Sequence, residues 1–440
     1  EIETKQLFSS FVKWAAVIRS IDRIPEYVSR AFHVASSGRP GPVVLGLPED
    51  MLSSKAEVRD ARAARVTEPA PSAATMAELA DLLATAQRPL MIVGGPGWSP
   101  EVQSRIERFA ERFDLPVAAA FRFQDYMDNR HPSYVGHAGI GIDAQLAAAI
   151  RDADLLIVVG ARLGEMTTSG YTLVDIPNPA QRLVHVHPDP NELGTVYAPD
   201  LPITATAAQF SAALDSLKPP AQIPWKQRRA DLRAAYEATL KPIPTPGAVQ
   251  LEQVVRTVSE MLPQDGIVAS GAGNYTAFVH RYFQYKGYRT QLAPTSGSMG
   301  YGLPAAIAAK LAYPTRPVVA FAGDGCFMMT SQELATAVQY GLNIVTIICN
   351  NGVYGTIRMH QEKKYPGRIV GTTLVNPDFA AFARSFGAHG ETVSKTEEFR
   401  PAFERALAAG KPSVIDLKID PEAITPRQSL SEIRASSSKG

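Results

Sequence analysis

The stretch "PVVAFAGDGCFMM", residues 317–329, decides how this chain is read. An apolar run with the character of a buried strand ends at Gly323, and Asp324 stands between two glycines. Alone, Asp-Gly is ordinary turn chemistry. A second apolar run, "NIVTIICNNGVYG" (343–355), follows after a helix-like segment, "SQELATAVQYG" (331–341). A strand–helix–strand unit of this length is a right-handed crossover between parallel strands. If the two strands are neighbours, they lie about 4.8 Å apart with their carboxyl ends on one edge. Asp324 and Asn351 can then share one small cation. Carboxylate, amide and carbonyl oxygens suit Mg²⁺, which takes few protein ligands and completes its shell with phosphate and water. Open α/β sheets bind ligands at that edge, and the start of the next helix offers N–H donors to an anion. The expectation is a diphosphate held through Mg²⁺. No G-x-x-x-x-G-K-[ST] is present, which argues against a P-loop, and "VGGPG" (93–97) lacks the full dinucleotide fingerprint.

Working outward, residues 248–422 read as one α/β unit. Its strands are "GIVASG", "PVVAFAG", "NIVTIICNN" and "SVIDLKID", alternating with amphipathic helices. Residues 76–217 repeat the alternation with strands "PLMIVGG", "LPVAAA", "DLLIVVGAR" and "RLVHVHPD". Residues 1–55 supply only strand, helix and strand ("FVKWAAVI", "IPEYVSRAFHVASSG", "GPVVLGLP"), too little for an independent domain. Polar, Pro-containing stretches at 56–75 and 218–247 read as linkers, the second passing through a helical patch, and the tail 423–440 as frayed. The fold class expected is α/β, with doubly wound parallel-sheet domains in series.

Composition sets bounds. With 44 basic and 43 acidic side chains the net charge is +1, which gives no nucleic-acid footprint. No apolar stretch approaches the roughly 18 residues of a membrane span. The two cysteines, Cys326 and Cys349, form neither a metal-ligand spacing nor a disulfide framework, so a cytoplasmic location is expected. Cys326 reads as a small packed side chain rather than a nucleophile.

"GDG", 24 intervening residues and "NN" resemble the thiamine diphosphate signature. "TSGSMGYGLPAAIAAK" (295–310) and "GRPGPVVLGLPEDM" (38–51) resemble the acetolactate synthase-like branch of that superfamily, and the likeness runs through the whole chain. The resemblance implies an N-terminal pyrimidine-binding domain, a central domain and a C-terminal diphosphate-binding domain. The first 52 residues match only the last third of the first of these. It makes Asp324, the Asn351 side chain and the Val353 carbonyl the Mg²⁺ ligands. It gives Gly325 and Cys326, beside Gly323, backbone contacts with phosphate, and Asn274 and Tyr275 contacts with the diphosphate. Met299 would prop the cofactor into its bent form, and Gly297 and Ser298 would lie against the aminopyrimidine. The chemistry implied is decarboxylation or carboligation of a 2-oxo acid through a C2 ylid. The family's activating Glu matches no residue of 1–440, so the catalytic residue stays unassigned and the chain by itself is expected to be inactive.

Thr356, His360 and Gln361 are candidates for the substrate pocket. Thr356 stands where acetolactate synthases carry Met, and His360 where they carry Trp. In the central domain, Gly95, His137 and Arg162 fall where flavin-binding relatives hold FAD, while other branches hold ADP or nothing there; an Arg can bind phosphate bidentately. His33 reads as structural. The family builds its sites across subunit pairs, so a homodimer or dimer of dimers is expected, acting on a small 2-oxo acid or hydroxyketone. Two alternatives remain open: a carbon–carbon lyase or hydrolase acting on a diketone or acyl-CoA, and a non-catalytic cofactor-binding fragment.

Overall fold

The computed structural model describes residues 2–437. Its strands fall into three parallel sheets. At the N-terminus β1 (Trp14–Val17) pairs with β2 (Val43–Gly46), with the helix Ile24–Ser36 between them. This unit is thinly covered: Phe11, Phe32 and Leu52 are 63%, 63% and 69% exposed.

The central sheet comprises β3 (Pro89–Val93), β4 (Val117–Ala119), β5 (Tyr134–His137), β6 (Leu155–Val159), β7 (Arg182–His187) and β8 (Leu201–Thr204), in spatial order β5-β4-β3-β6-β7-β8. The C-terminal sheet comprises β9 (Ile267–Ser270), β10 (Gln291–Leu292), β11 (Val318–Gly323), β12 (Ile344–Asn350), β13 (His389–Val393) and β14 (Ser413–Lys418), in order β10-β9-β11-β12-β14-β13. Every residue of β3, β6, β11 and β12 is buried, because helices cover both faces; this is why these strands read as unbroken apolar runs rather than as alternation.

A representative covering helix is Pro100–Arg112. Ser99 caps it by accepting the Val102 N–H, and Pro100 sits at its first turn, where the N–H it lacks would have no intrahelical acceptor. Val102, Ile106 and Phe109 recur every three or four residues and face the core. Each contributes about 1.5–3 kcal/mol by burial, and Phe109→Ala would cost about 3–5 kcal/mol.

In both large sheets the chain winds outward in one direction and then returns to the other side, where in the C-terminal sheet β13 takes the edge before β14 inserts beside β12. The reversal falls between β3 and β6 in one sheet and between β9 and β11 in the other. These are the crevices where doubly wound sheets take ligands.

Two segments are packed more firmly than expected, the first around the helical patch already read from the sequence. The stretch 218–247 holds the helix Lys226–Thr239, with Trp225 and Tyr236 in the central core and Trp225 Nε1 donating to the Phe113 carbonyl at 2.9 Å. It is packed structure, because its few large aromatics outweigh its charged composition. The tail is not frayed through residue 437. The helix Leu430–Ser437 docks on the helix Gly355–Lys364, burying Leu430 and Ile433. Arg434 forks onto the fully buried Glu362 at 2.8 and 2.5 Å. Residues 438–440 of that predicted tail lie outside the described residues.

The two large units meet along a polar seam. Asp125 accepts the Thr290 and Gln291 N–H groups at 3.1 and 3.2 Å, and Gln124 Nε2 donates to the His280 carbonyl at 2.8 Å. Among the described residues, no helix is long and apolar enough to cross a membrane.

Candidate cofactor site

The β9/β11 crevice opens into a cleft lined by the segments just past three strands: 272–275 after β9, 323–326 after β11 and 351–357 after β12. Leu251, Met299, Ile419, Ala423 and Ile424 add an apolar side. β11 and β12 are hydrogen-bonded parallel neighbours, with Gly323 opposite Cys349. Asp324 and Asn351 therefore leave adjacent strands at the same edge.

Asp324 is 3% exposed. Its Oδ1 accepts the Gly325 N–H at 2.8 Å; its Oδ2 accepts the Gly352 N–H at 2.8 Å and Asn376 Nδ2 at 2.7 Å. Burial pushes its pKa above the usual carboxylate value, and these donors oppose the shift. All three partners are neutral, so the site holds a carboxylate in low dielectric facing uncharged donors, an arrangement that a small cation would complete. Asn351 Oδ1 lies toward the Val353 N–H at 3.2 Å, and Val353 is buried and bridged to Thr373. Among the described residues no group of three or more His, Cys, Asp or Glu could hold a metal. One carboxylate with amide and carbonyl oxygens fits Mg²⁺, for which phosphate and water supply the remaining ligands.

The glycines matter for a specific reason. A Cβ on Gly325 would fall 2.6 Å from the Tyr354 ring, and one on Gly323 would fall 3.1 Å from the Tyr275 ring. Tyr275 is buried over this floor, and Cys326 Sγ–H donates to the Ala272 carbonyl at 2.7 Å, tying the β9 and β11 loops together. Asn274 Oδ1 accepts Thr356 Oγ1 at 2.8 Å, and Asn274 Nδ2 lies 3.2 Å from Met359 Sδ.

Several sequence candidates fall elsewhere. Thr356 lines the cleft, whereas His360 and Gln361 do not. On the helix Gly355–Lys364 they stand one turn beyond Thr356 and Ile357, further along the same face. His360 is exposed, and Gln361 exchanges hydrogen bonds with the Val370 backbone at 2.8 and 3.3 Å. Met299 reaches the cleft, but Gly297 and Ser298 remain on the exposed loop before it, Gly297 at φ +75° and Ser298 Oγ 2.9 Å from Ser296 Oγ.

The β3/β6 crevice holds a wider cleft of about 790 Å³. Gly95 and Arg162 line it. Gly95 takes φ +74°, and a Cβ there would overlap the Gly160 carbonyl oxygen at 1.7 Å. Arg162 Nε is held by Glu192 at 2.7 Å, with its side chain 50% exposed. His137 does not line this cleft. It lies on the seam, its ring 5.6 Å from that of His280, and burial lowers its pKa.

Sequence reasoning missed Asn376, Asn350 and Asp416. Asn376 also donates to Asn350 Oδ1 at 2.9 Å, and Asn350 Nδ2 donates to Asp416 Oδ1 at 2.9 Å. The only signal was the first Asn of the "NN" pair, which sits inside the strand and so had to have a buried partner.

Comparisons with known proteins agree with this geometry. Residues 76–214 match the thiamine pyrophosphate enzyme central domain, and residues 271–417 match the thiamine pyrophosphate enzyme C-terminal TPP binding domain. The fold and cleft are thus those of a thiamine pyrophosphate enzyme. The chain is 32% identical over 423 residues to the acetolactate synthase large subunit of Parasynechococcus marenigrum, covering 93% of this chain and 67% of that protein. It is 27% identical to the acetolactate synthase isozyme 2 large subunit of Escherichia coli, covering 96% and 76%. It is 28% identical to the probable acetolactate synthase large subunit of Methanocaldococcus jannaschii, covering 97% and 74%. The chain belongs to the acetolactate synthase-like family of thiamine diphosphate-dependent enzymes.

Proposed function

We propose that this chain anchors thiamine diphosphate through Mg²⁺ in an enzyme that decarboxylates a 2-oxo acid and ligates the resulting fragment. The observation that carries this reading is the buried carboxylate of Asp324, met only by uncharged donors at the β9/β11 switch point, with Asn351 on the adjacent strand end. When bound, thiamine diphosphate supplies the carbon nucleophile and the electron sink for loss of CO₂. Asp324, the Asn351 side chain and the Val353 carbonyl would hold Mg²⁺. The Cys326 N–H stands in the first turn of the helix Asp324–Met328, where no intrahelical acceptor exists, and would receive a phosphate oxygen. The Gly325 N–H is engaged by Asp324 and serves to fix that carboxylate. Met299 and Ile424 supply the apolar wall, and Thr356 with Asn274 forms its polar corner.

The cleft encloses about 80 Å³, small against the roughly 300 Å³ or more of a complete ligand site. In its lining Ile357 is 51% exposed. Both features support closure of the site by a second subunit, in a homodimer or dimer of dimers. The β3/β6 cleft, with Gly95 and Arg162, is proposed to take the ADP portion of FAD or ADP itself.

Calorimetric titration of thiamine diphosphate with Mg²⁺ and with EDTA tests the anchor, and CO₂ release from a panel of 2-oxo acids tests the chemistry. Binding heat should vanish in EDTA. Equal binding with and without the cation would sink the reading.

A further inference from the structure

Asp324 is held from behind by a chain of hydrogen bonds that crosses the sheet. Asp416 on β14 is fully buried; its Oδ2 accepts Lys418 Nζ at 2.7 Å and its Oδ1 accepts Asn350 Nδ2 at 2.9 Å. Asn350 Oδ1 then accepts Asn376 Nδ2 at 2.9 Å, and the same amide donates to Asp324 Oδ2 at 2.7 Å. The orientation of every amide follows: Asn350 must turn its nitrogen to the Asp416 carboxylate, so its oxygen faces Asn376, whose nitrogen is thereby directed at Asp324.

The loop carrying Asn376 is clipped to the cleft on its near side. Leu374 N–H donates to the Gly352 carbonyl at 2.8 Å, Tyr354 N–H to the Thr372 carbonyl at 2.9 Å, and Val353 bridges Thr373. Just beyond it, Asp378 caps the helix Phe379–Ser385. Asn376 is thus fixed at both ends.

Counting acceptor sites gives the consequence. A carboxylate oxygen has about two lone-pair positions. Oδ2 of Asp324 uses both, on Gly352 and Asn376, whereas Oδ1 uses one, on Gly325. We propose that Asn376, oriented by Asn350 and Asp416, is a positioning residue of the metal site, filling Oδ2 of Asp324 so that Oδ1 is the oxygen presented to the cation. This rests on the Mg²⁺ reading above. Lys418 anchors the far end of the chain at the protein surface and, through Asp416, fixes the direction in which the amides point.

The test uses Mn²⁺ as the cation with thiamine diphosphate present, reading free Mn²⁺ by electron paramagnetic resonance, together with thermal unfolding of the metal-free protein. Asn376→Leu, close in size, should weaken Mn²⁺ binding about 10–100-fold, the range for loss of a partner to a metal ligand. Asp416→Asn, which leaves an oxygen for Asn350, should weaken it only a few-fold and keeps the proposal testable if the Leu variant folds poorly. Asp324→Ala separates the two readings. If it loses Mn²⁺ while both other variants bind as the unaltered chain does, the positioning role falls and the metal site stands. If Asp324→Ala itself binds Mn²⁺ normally, the metal reading falls. Lower melting midpoints with unchanged Mn²⁺ affinity would make Asn376 and Asp416 merely structural and overturn the proposal.

Discussion

The two large sheets place their clefts at the same topological position, yet furnish them in opposite ways. At the β9/β11 edge a carboxylate is buried, held by neutral donors and backed by an amide relay. At the β3/β6 edge a half-exposed Arg162 pairs with the largely covered Glu192, beside a wider cleft. The comparison teaches that the winding of an α/β sheet determines where a ligand goes, while burial determines what kind of contact the edge can make. A buried, unpaired carboxylate gains most from a desolvated cation; a pair whose arginine is half in water suits looser, exchangeable contact, since partly exposed pairs contribute only about 0–1 kcal/mol.

The sharpest way to break the contrast is Asp324→Ala. It should abolish Mg²⁺-dependent thiamine diphosphate binding in calorimetry with the far-ultraviolet circular dichroism spectrum unchanged. An unaltered titration would remove the distinction between the edges.

Next in size is Gly95→Ala. Its positive φ and the overlap with the Gly160 carbonyl should cost roughly 2–4 kcal/mol in urea unfolding. If the midpoint does not move, the close approach of the β3 and β6 loops is not a packing requirement.

The seam between the sheets gives a pH test. Burial raises the Asp125 pKa from 3.8 to about 7. The folded state therefore holds this proton more tightly than the unfolded chain does. The associated stability is full below about pH 3.8, declines as pH rises toward 7 and is absent above it. Asp125→Asn should flatten the fall of melting midpoint over that window, and an identical profile in the variant would refute the assignment.

Smallest should be Arg162→Ala, which is expected to leave Mg²⁺-dependent cofactor binding unchanged and to shift stability by under about 1 kcal/mol. It should, however, weaken binding of ADP in a direct titration. Loss of thiamine diphosphate binding instead would mean that the two edges are coupled.

The sheets also show what a sequence reveals. In each, the four interior strands were legible and both edge strands were not: β5 and β8 in one, β10 and β13 in the other. Interior strands are mostly apolar because both faces are covered, with exceptions such as Asp416 on β14 and His185 on β7. The edge strand β8 alternates, β13 buries only Val393, and β10 is two residues long. No run survives for a pattern to catch. The tail was misread for a related cause: its helix needs only Leu430 and Ile433 buried, plus an ion pair to a distant Glu362.

Within the site, Asp324 and Asn351 were legible because a strand end, two glycines and a fixed spacing are all local features. His360 and Gln361 lie outside this cleft, one helical turn beyond Thr356 and Ile357. By itself the sequence determined the order of the interior strands and their covering helices, the two carboxyl-end motifs and the oxygen-rich chemistry they can offer. Only the tertiary structure decided which strands are neighbours, which lone pairs of Asp324 are already taken and that Asn376, Asn350 and Asp416 converge behind it. These residues are far apart in the chain, and hydrogen-bond direction exists only once the sheet has brought them together.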